Sequence, residues 1–122
     1  MSADQKSQGP TPGAFLARFE EIPDKGAIVR DLREGEKLYS FVLARRDDVL
    51  AAYWNICPHA QVRMDTYDGQ LIVRMNRYLM CTLHGAMYDL GNGRCAAAPG
   101  GGDLEPAPIE LIDGEVRIAR AA

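Results

Sequence analysis

The sequence predicts an all-β domain. Three observations carry this. No segment keeps apolar residues at a 3.6-residue period between capping residues. Short runs rich in β-branched, aromatic and aliphatic residues recur between Gly, Pro, Asp and Asn clusters. The chain also closes on a hairpin signature, with Ile109 to Ile112 and Glu115 to Ile118 flanking Asp113-Gly114.

In chain order, Met1 to Gly13 is polar, contains Pro10, Pro12 and Gly13, and reads as a disordered lead-in to a domain spanning 14–122. Ala14 to Ile22 alternates loosely and is assigned to a strand, with a short helix as the alternative. Pro23-Asp24-Lys25-Gly26 is a turn. Ala27 to Asp31 is a strand, and Glu34-Gly35-Glu36 a second turn. Lys37 to Ala44 and Val49 to Asn55 form an antiparallel pair around Arg45-Arg46-Asp47-Asp48. Asp68-Gly69 signals a turn. Leu71 to Val73 and Tyr78 to Met80 are small strands around the polar Met75-Asn76-Arg77. Ala86 to Leu90 is a strand, Gly91-Asn92-Gly93 a tight turn requiring positive φ, and Arg94 to Ala97 the return. Pro99 to Gly102 is a loop almost without side chains.

At 122 residues the chain is one domain with a modest core. A net charge of −3 argues against nucleic-acid binding. No apolar run approaches the roughly 20 residues that span a bilayer. Met1 to Lys6 has neither the apolar core of a signal peptide nor a twin arginine, so a cytoplasmic location is expected. There thiols stay reduced, and a Cys/His pattern reads as metal binding or catalysis, not as a disulfide scaffold.

That pattern is concentrated. Cys57-Pro58-His59 and Cys81-Thr82-Leu83-His84-Gly85 contain both histidines of the chain and two of its three cysteines. A Cys2His2 set suits one tetrahedral zinc, or a [2Fe–2S] cluster in which two histidines replace two cysteines on one iron. Zinc modules usually space like ligands together, C-x2–4-C and H-x3–5-H. Here each pair mixes the two types, and the first has a single intervening residue. Mixed pairs suit a two-metal cluster, because each loop can give its thiolate to one iron and its imidazole to the other. A structural zinc module remains the alternative.

These two boxes resemble the cluster-binding boxes of the Rieske family. The resemblance continues through Ala86-Met87-Tyr88-Asp89 and Gly93-Arg94, the loop at Pro99 and the closing hairpin at Asp113-Gly114, covering roughly residues 15–120. It implies the Rieske iron-sulfur fold, small stacked antiparallel sheets with a cluster-binding subdomain at about 55–102. It implies one [2Fe–2S] cluster per chain. Cys57 and Cys81 would hold the buried iron, His59 and His84 the outer iron, and Tyr88 would donate a hydrogen bond to the cluster. Pro99 to Gly102 would cover it. An oxidised core of charge 2+ is dianionic with four thiolates and neutral with two thiolates and two imidazoles. The neutral site accepts an electron more readily, which raises the potential above that of an all-Cys ferredoxin.

Departures from the family pattern indicate the subtype. Quinol-oxidising members carry a further cysteine in each box, joined as a disulfide, and a membrane anchor. Here Leu83 occupies the second-box position, and no cysteine follows His59 within the first box. High-potential members place a Ser two residues after the second histidine and a Tyr four after it. Here these are Ala86 and Tyr88, so a potential below the quinol-oxidising class is expected. The stretch Ala60 to Met80 between the boxes is longer than in a typical Rieske ferredoxin. Cys95 reads as a core filler, with a fifth ligand or redox thiol as alternatives. Trp54 reads as core. Arg63, Arg74, Arg77 and Arg94 lie in a segment with Asp65, Asp68 and Asp89 and read as a solvated mixed surface, with a basic docking rim as the alternative.

The resemblance implies a soluble one-electron carrier, not an enzyme, because no histidine is left for a mononuclear iron site. Its expected partners are a flavin-dependent reductase and a terminal oxygenase or other redox enzyme, with neither nucleic acid nor membrane. The alternative is a non-catalytic Rieske subunit of a larger oxidoreductase.

Overall fold

The computed structural model describes residues 10–58, 62–65, 70–81, 85–97 and 102–119. Its ten strands are β1 (Phe15–Arg18), β2 (Gly26–Glu34), β3 (Lys37–Arg46), β4 (Val49–Trp54), β5 (Ile72–Arg74), β6 (Tyr78–Met80), β7 (Met87–Asp89), β8 (Cys95–Ala97), β9 (Ile109–Ile112) and β10 (Glu115–Ile118). A 3-10 turn, Phe19–Glu21, follows β1. The Ala14 to Ile22 segment therefore divides into a strand and a helical turn. Its split matches the sequence, since the alternation ends at Phe19 and Glu20-Glu21 supply the acidic start of the turn.

All strand pairings are antiparallel and form three sheets, ordered β1-β10-β9, β2-β3-β4 and β5-β6-β7-β8. The all-β architecture of small antiparallel sheets expected from the sequence is the one observed. The closing hairpin has the predicted bounds, with Asp113 and Gly114 both at positive φ (51° and 78°), as a two-residue type I′ turn demands. β2 runs longer than predicted because its register with β3 continues to Glu34↔Lys37, which tightens the turn to Gly35-Glu36. β3 runs on to Arg46 because Arg45 and Arg46 pair with Leu50 and Val49, which tightens the next turn to Asp47-Asp48.

Strand β3 is the spine. Phe41, Val42, Leu43 and Ala44 are all fully buried, and successive side chains leave opposite faces of the sheet. Phe41 and Leu43 join Leu16, Ala17, Ile22, Val116 and Ile118 in a core between this sheet and β1-β10-β9. Val42 and Ala44 join Tyr53, Met64, Leu79, Tyr88, Leu90 and Leu104 in a second core, which also contains Cys57 and Cys81. Burial on both faces explains why this strand reads as an unbroken apolar run instead of an alternating one. Each buried Phe or Leu of this kind contributes about 1.5–3 kcal/mol.

Residues 1–9 of the expected lead-in lie outside the described residues. At its end the Thr11 backbone N–H donates to the Glu34 carboxylate, and Gly13 N–H to the Ile118 carbonyl at 2.8 Å. Arg117 in turn donates to the Gly13 carbonyl, so this stretch joins the domain's hydrogen bonding just before β1. The Asp68-Gly69 turn and residues 99–101 of the glycine loop also lie outside the described residues. Among the described residues no helix is long and apolar enough to cross a membrane.

Candidate metal centre

The two cysteine loops leave neighbouring parts of one core. Chain leaving β4 at Trp54 enters the first loop, and chain leaving β6 at Met80 enters the second. Both loops close in the same way. The Cys57 N–H donates to the carbonyl of Val62 (2.7 Å), five residues on, and the Cys81 N–H to the carbonyl of Ala86 (2.8 Å), also five residues on. The second loop is tightened by Gly85 N–H donating to the Cys81 carbonyl (3.0 Å), with Gly85 at φ 78°, where an L-residue would be strained. Two different motifs thus share one closing hydrogen bond, from the cysteine N–H to the carbonyl five residues on.

Cys57 and Cys81 are both fully buried in the same cluster of side chains. Among the described residues no disulfide joins Cys57, Cys81 or Cys95. Tyr88, from the middle of β7, is buried in the same cluster. Its Oη lies 3.4 Å from Cys57 Sγ. Burial pushes the Tyr88 hydroxyl far above its ordinary range. Its hydrogen bond to Cys57 and the charges of Cys57, Cys95 and Cys81 push it the same way. The phenol therefore keeps its proton and can donate to a thiolate sulfur. Ala86, which has no hydroxyl to offer, is fully buried.

Two buried soft donors, unjoined by a disulfide and beside a protonated phenol, fit a thiolate-bound iron. Both cysteines are fully buried in a cluster that also contains Met64, Leu79, Ala86 and Leu90. His59 and His84, the two predicted imidazole ligands, lie outside the described residues. Cys95 is half-buried on β8 opposite Tyr88, and its N–H donates to Asp103 Oδ1 at 2.8 Å.

Two supports of this centre were not singled out from the sequence. The first is Asn55, at only 2 % exposure. Its Oδ1 accepts the Met64 N–H (2.9 Å), and its Nδ2 donates to Ser40 Oγ (3.0 Å) and Asp65 Oδ1 (2.9 Å). Asp65 is pushed up by its burial, but hydrogen bonds from Arg63 and Asn55 and the Arg63 charge outweigh this and hold it below the usual carboxylate range. The available signal was a single amide ending the apolar run Ala51 to Trp54, two residues before the first cysteine.

The second support is Asp89, which follows Tyr88. Burial pushes its carboxyl up, but the Gly91 N–H (2.8 Å), the Arg77 guanidinium (3.2 Å) and the charge of Arg46 together hold it low. Tyr53 Oη donates to the Leu90 carbonyl at 2.8 Å, tying β4 to the end of β7. Of the four arginines considered as a docking rim, Arg63 is engaged by Asp31 and Asp65, and Arg77 by Asp89. These two arginines are paired, but their partners Asp65 and Asp89, expected on a solvated surface, have largely buried side chains. Trp54 is half-buried. It packs on Phe41 with ring centroids 4.9 Å apart and borders a groove of about 370 Å³ beside Ile56.

The Rieske [2Fe-2S] domain profile matches residues 15–108. No curated protein matches the sequence. A ferredoxin of Sphingomonas yanoikuyae B1 superposes with a TM-score of 0.66 at 20% identity, covering 89% of this chain and 99% of that one. The ferredoxin of carbazole 1,9a-dioxygenase from Nocardioides aromaticivorans IC177 does so at 0.66 and 15%, covering 91% and 100%. A quaternary ammonium Rieske monooxygenase superposes at 0.71 and 19%, covering 97% of this chain and 35% of that one. At these identities the likeness is one of fold, and it agrees with the profile match over most of the chain. The chain belongs to the Rieske [2Fe-2S] domain family, whose cofactor is a single [2Fe–2S] cluster.

Proposed function

We propose that this protein is a soluble, cytoplasmic one-electron carrier. It takes an electron from a flavin-dependent reductase and passes it to a terminal oxygenase or another redox enzyme. The domain runs from 14 to 122, with the cluster held in the subdomain at about 55–102. Cys57 and Cys81 bind the buried iron, and His59 and His84 the outer one. The observation that carries this reading is the pair of equivalently closed loops, each burying its cysteine in one core that both share with Tyr88.

When bound, the cluster supplies one reversible electron. The chain's own part is to exclude water from the two sulfurs and to hold a phenol proton against Cys57 Sγ. That proton stabilises the added negative charge of the reduced state. Superposition over almost the whole length of two ferredoxins supports the carrier reading. The solved complex of an oxygenase with its ferredoxin in carbazole 1,9a-dioxygenase, whose ferredoxin shares this fold, supports an oxygenase as acceptor. Superposition on about a third of a monooxygenase supports the second reading, a Rieske subunit held within a larger oxidoreductase.

The test is the electron paramagnetic resonance spectrum of the dithionite-reduced protein, with metal and sulfide analysis. A rhombic signal of low average g, with equal iron and acid-labile sulfide, is expected. Cys57→Ser and His84→Ala should each abolish or grossly alter it. Stoichiometric zinc in a colourless protein would overturn the reading. Anaerobic electron transfer from a flavin-dependent reductase to the isolated chain separates the carrier from the permanent subunit, which would be competent only within its complex.

A further inference from the structure

We propose that Asn55 is a positioning residue for the first cysteine loop, acting through a closed ring of side chains. The inference rests on the reading that this loop binds the cluster. Five residues from four segments form the ring. Asn55 donates to Ser40 on β3, and the Ser40 hydroxyl donates to Asp31 on β2. Arg63 donates to Asp31 and also to Asp65, and Asp65 accepts from Asn55, which closes the circuit.

The ring ties both ends of the loop to the base sheet. Asn55 precedes Cys57, and its own N–H donates to the Ser40 carbonyl at 3.0 Å. Met64 and Asp65 follow the loop and are gripped by the Asn55 side chain. Between these fixed ends the Cys57 N–H closes onto Val62. The sulfur of Cys57 is thereby placed relative to β3, and through the shared core relative to Tyr88 and Cys81.

The amide is the side chain this place requires. One atom must accept a backbone N–H while the other donates to a carboxylate, and both are buried. Asp accepts at both atoms, whereas Asn accepts at one and donates at the other. Neither Asn55 nor any other ring member is itself one of the proposed ligands.

The experiment uses the cluster-loaded full chain and follows loss of cluster absorbance to excess chelator, together with the midpoint potential. Asn55→Asp keeps the acceptor for Met64 but sets two carboxylates against each other. Cluster loss is expected to accelerate by about tenfold, as for other groups that orient metal ligands, with a shifted potential. Adding Asp65→Asn removes the opposed charges and offers a donor to the carboxylate at position 55, but it gives up the Arg63 bond to Asp65 Oδ1, so it should recover part of both changes. Val116→Ala, in the other core, lowers overall stability by leaving a cavity and should leave rate and potential unchanged well below its melting temperature.

Wild-type behaviour of Asn55→Asp would overturn the proposal. So would failure of the double variant to recover, or equally fast loss from Val116→Ala. If Asn55→Asp does not accumulate folded, Ser40→Ala opens the same ring by removing one hydroxyl. Accelerated loss then supports the proposal, and a wild-type rate overturns it. Absence of a cluster from the wild-type chain would instead defeat the functional reading, so the two failures are distinguishable.

Discussion

Tyr88 Oη lies 3.4 Å from Cys57 Sγ, and both residues are fully buried. Tyr88→Phe removes this hydroxyl contact while keeping the ring in the core. The reduced state loses a hydrogen bond to a charged sulfur, so the midpoint potential should fall by about 60 mV, the equivalent of roughly 1.4 kcal/mol for one electron. Protein-film voltammetry measures it directly. An unchanged potential would show that the phenol contributes packing alone.

Cys95 is expected to be a bystander. It is half-buried, and its strand is held through backbone bonds to β7 and to Asp103. Cys95→Ser should leave the paramagnetic spectrum of the reduced protein unchanged. A shift toward an all-cysteine type of signal in the wild type, lost in this variant, would make Cys95 a ligand.

Gly93 carries the chain past the Tyr53 ring. It has φ 74°, and an added Cβ would lie 2.7 Å from Tyr53 Cε1 and 3.2 Å from Leu104 Cβ. The ring cannot easily move, because its hydroxyl is bonded to Leu90. Gly93→Ala should cost about 3 kcal/mol from positive φ and overpacking together, read by denaturant unfolding. A loss close to zero would mean that the Tyr53 contact is soft.

Asp89 makes stability dependent on acid. Its folded-state pKa lies below the ordinary value of about 3.9 expected for the unfolded chain. Its contribution is therefore complete above that value and is lost as pH falls through the folded one. Asp89→Asn should be less stable than wild type at pH 7. The gap in melting temperature should narrow as pH drops below about 4. A gap constant with pH would assign the effect to geometry instead of charge.

Much of the centre was legible in the residues. Every histidine paired with a cysteine is a local signal, and it pointed to the two loops without any knowledge of their packing. Asp113-Gly114 specified its hairpin because a type I′ turn needs positive φ at both central positions. The Met75-Asn76 turn was less visible. Both residues have positive φ (56° and 55°), but methionine carries no turn signal of its own, so the reversal is imposed by the pairing of β5 with β6. In the Gly91-Asn92-Gly93 turn only Gly93 is at positive φ, since the Asp89 carboxylate and carbonyl already bind the N–H groups of Gly91 and Gly93.

What the sequence determined by itself was local: strand periodicity, turn chemistry and the grouping of thiols with imidazoles. These depend on residues within a few positions of one another. Tertiary structure alone decided that Phe41-Val42-Leu43-Ala44 serves two cores, that Tyr88 meets Cys57 across 31 positions, and that Asn55, Ser40, Asp31, Arg63 and Asp65 close into one ring. Each of these depends on the sheets' packing and register. A polar side chain acquires its role only when burial removes water and leaves a distant partner as its remaining hydrogen-bond donor or acceptor.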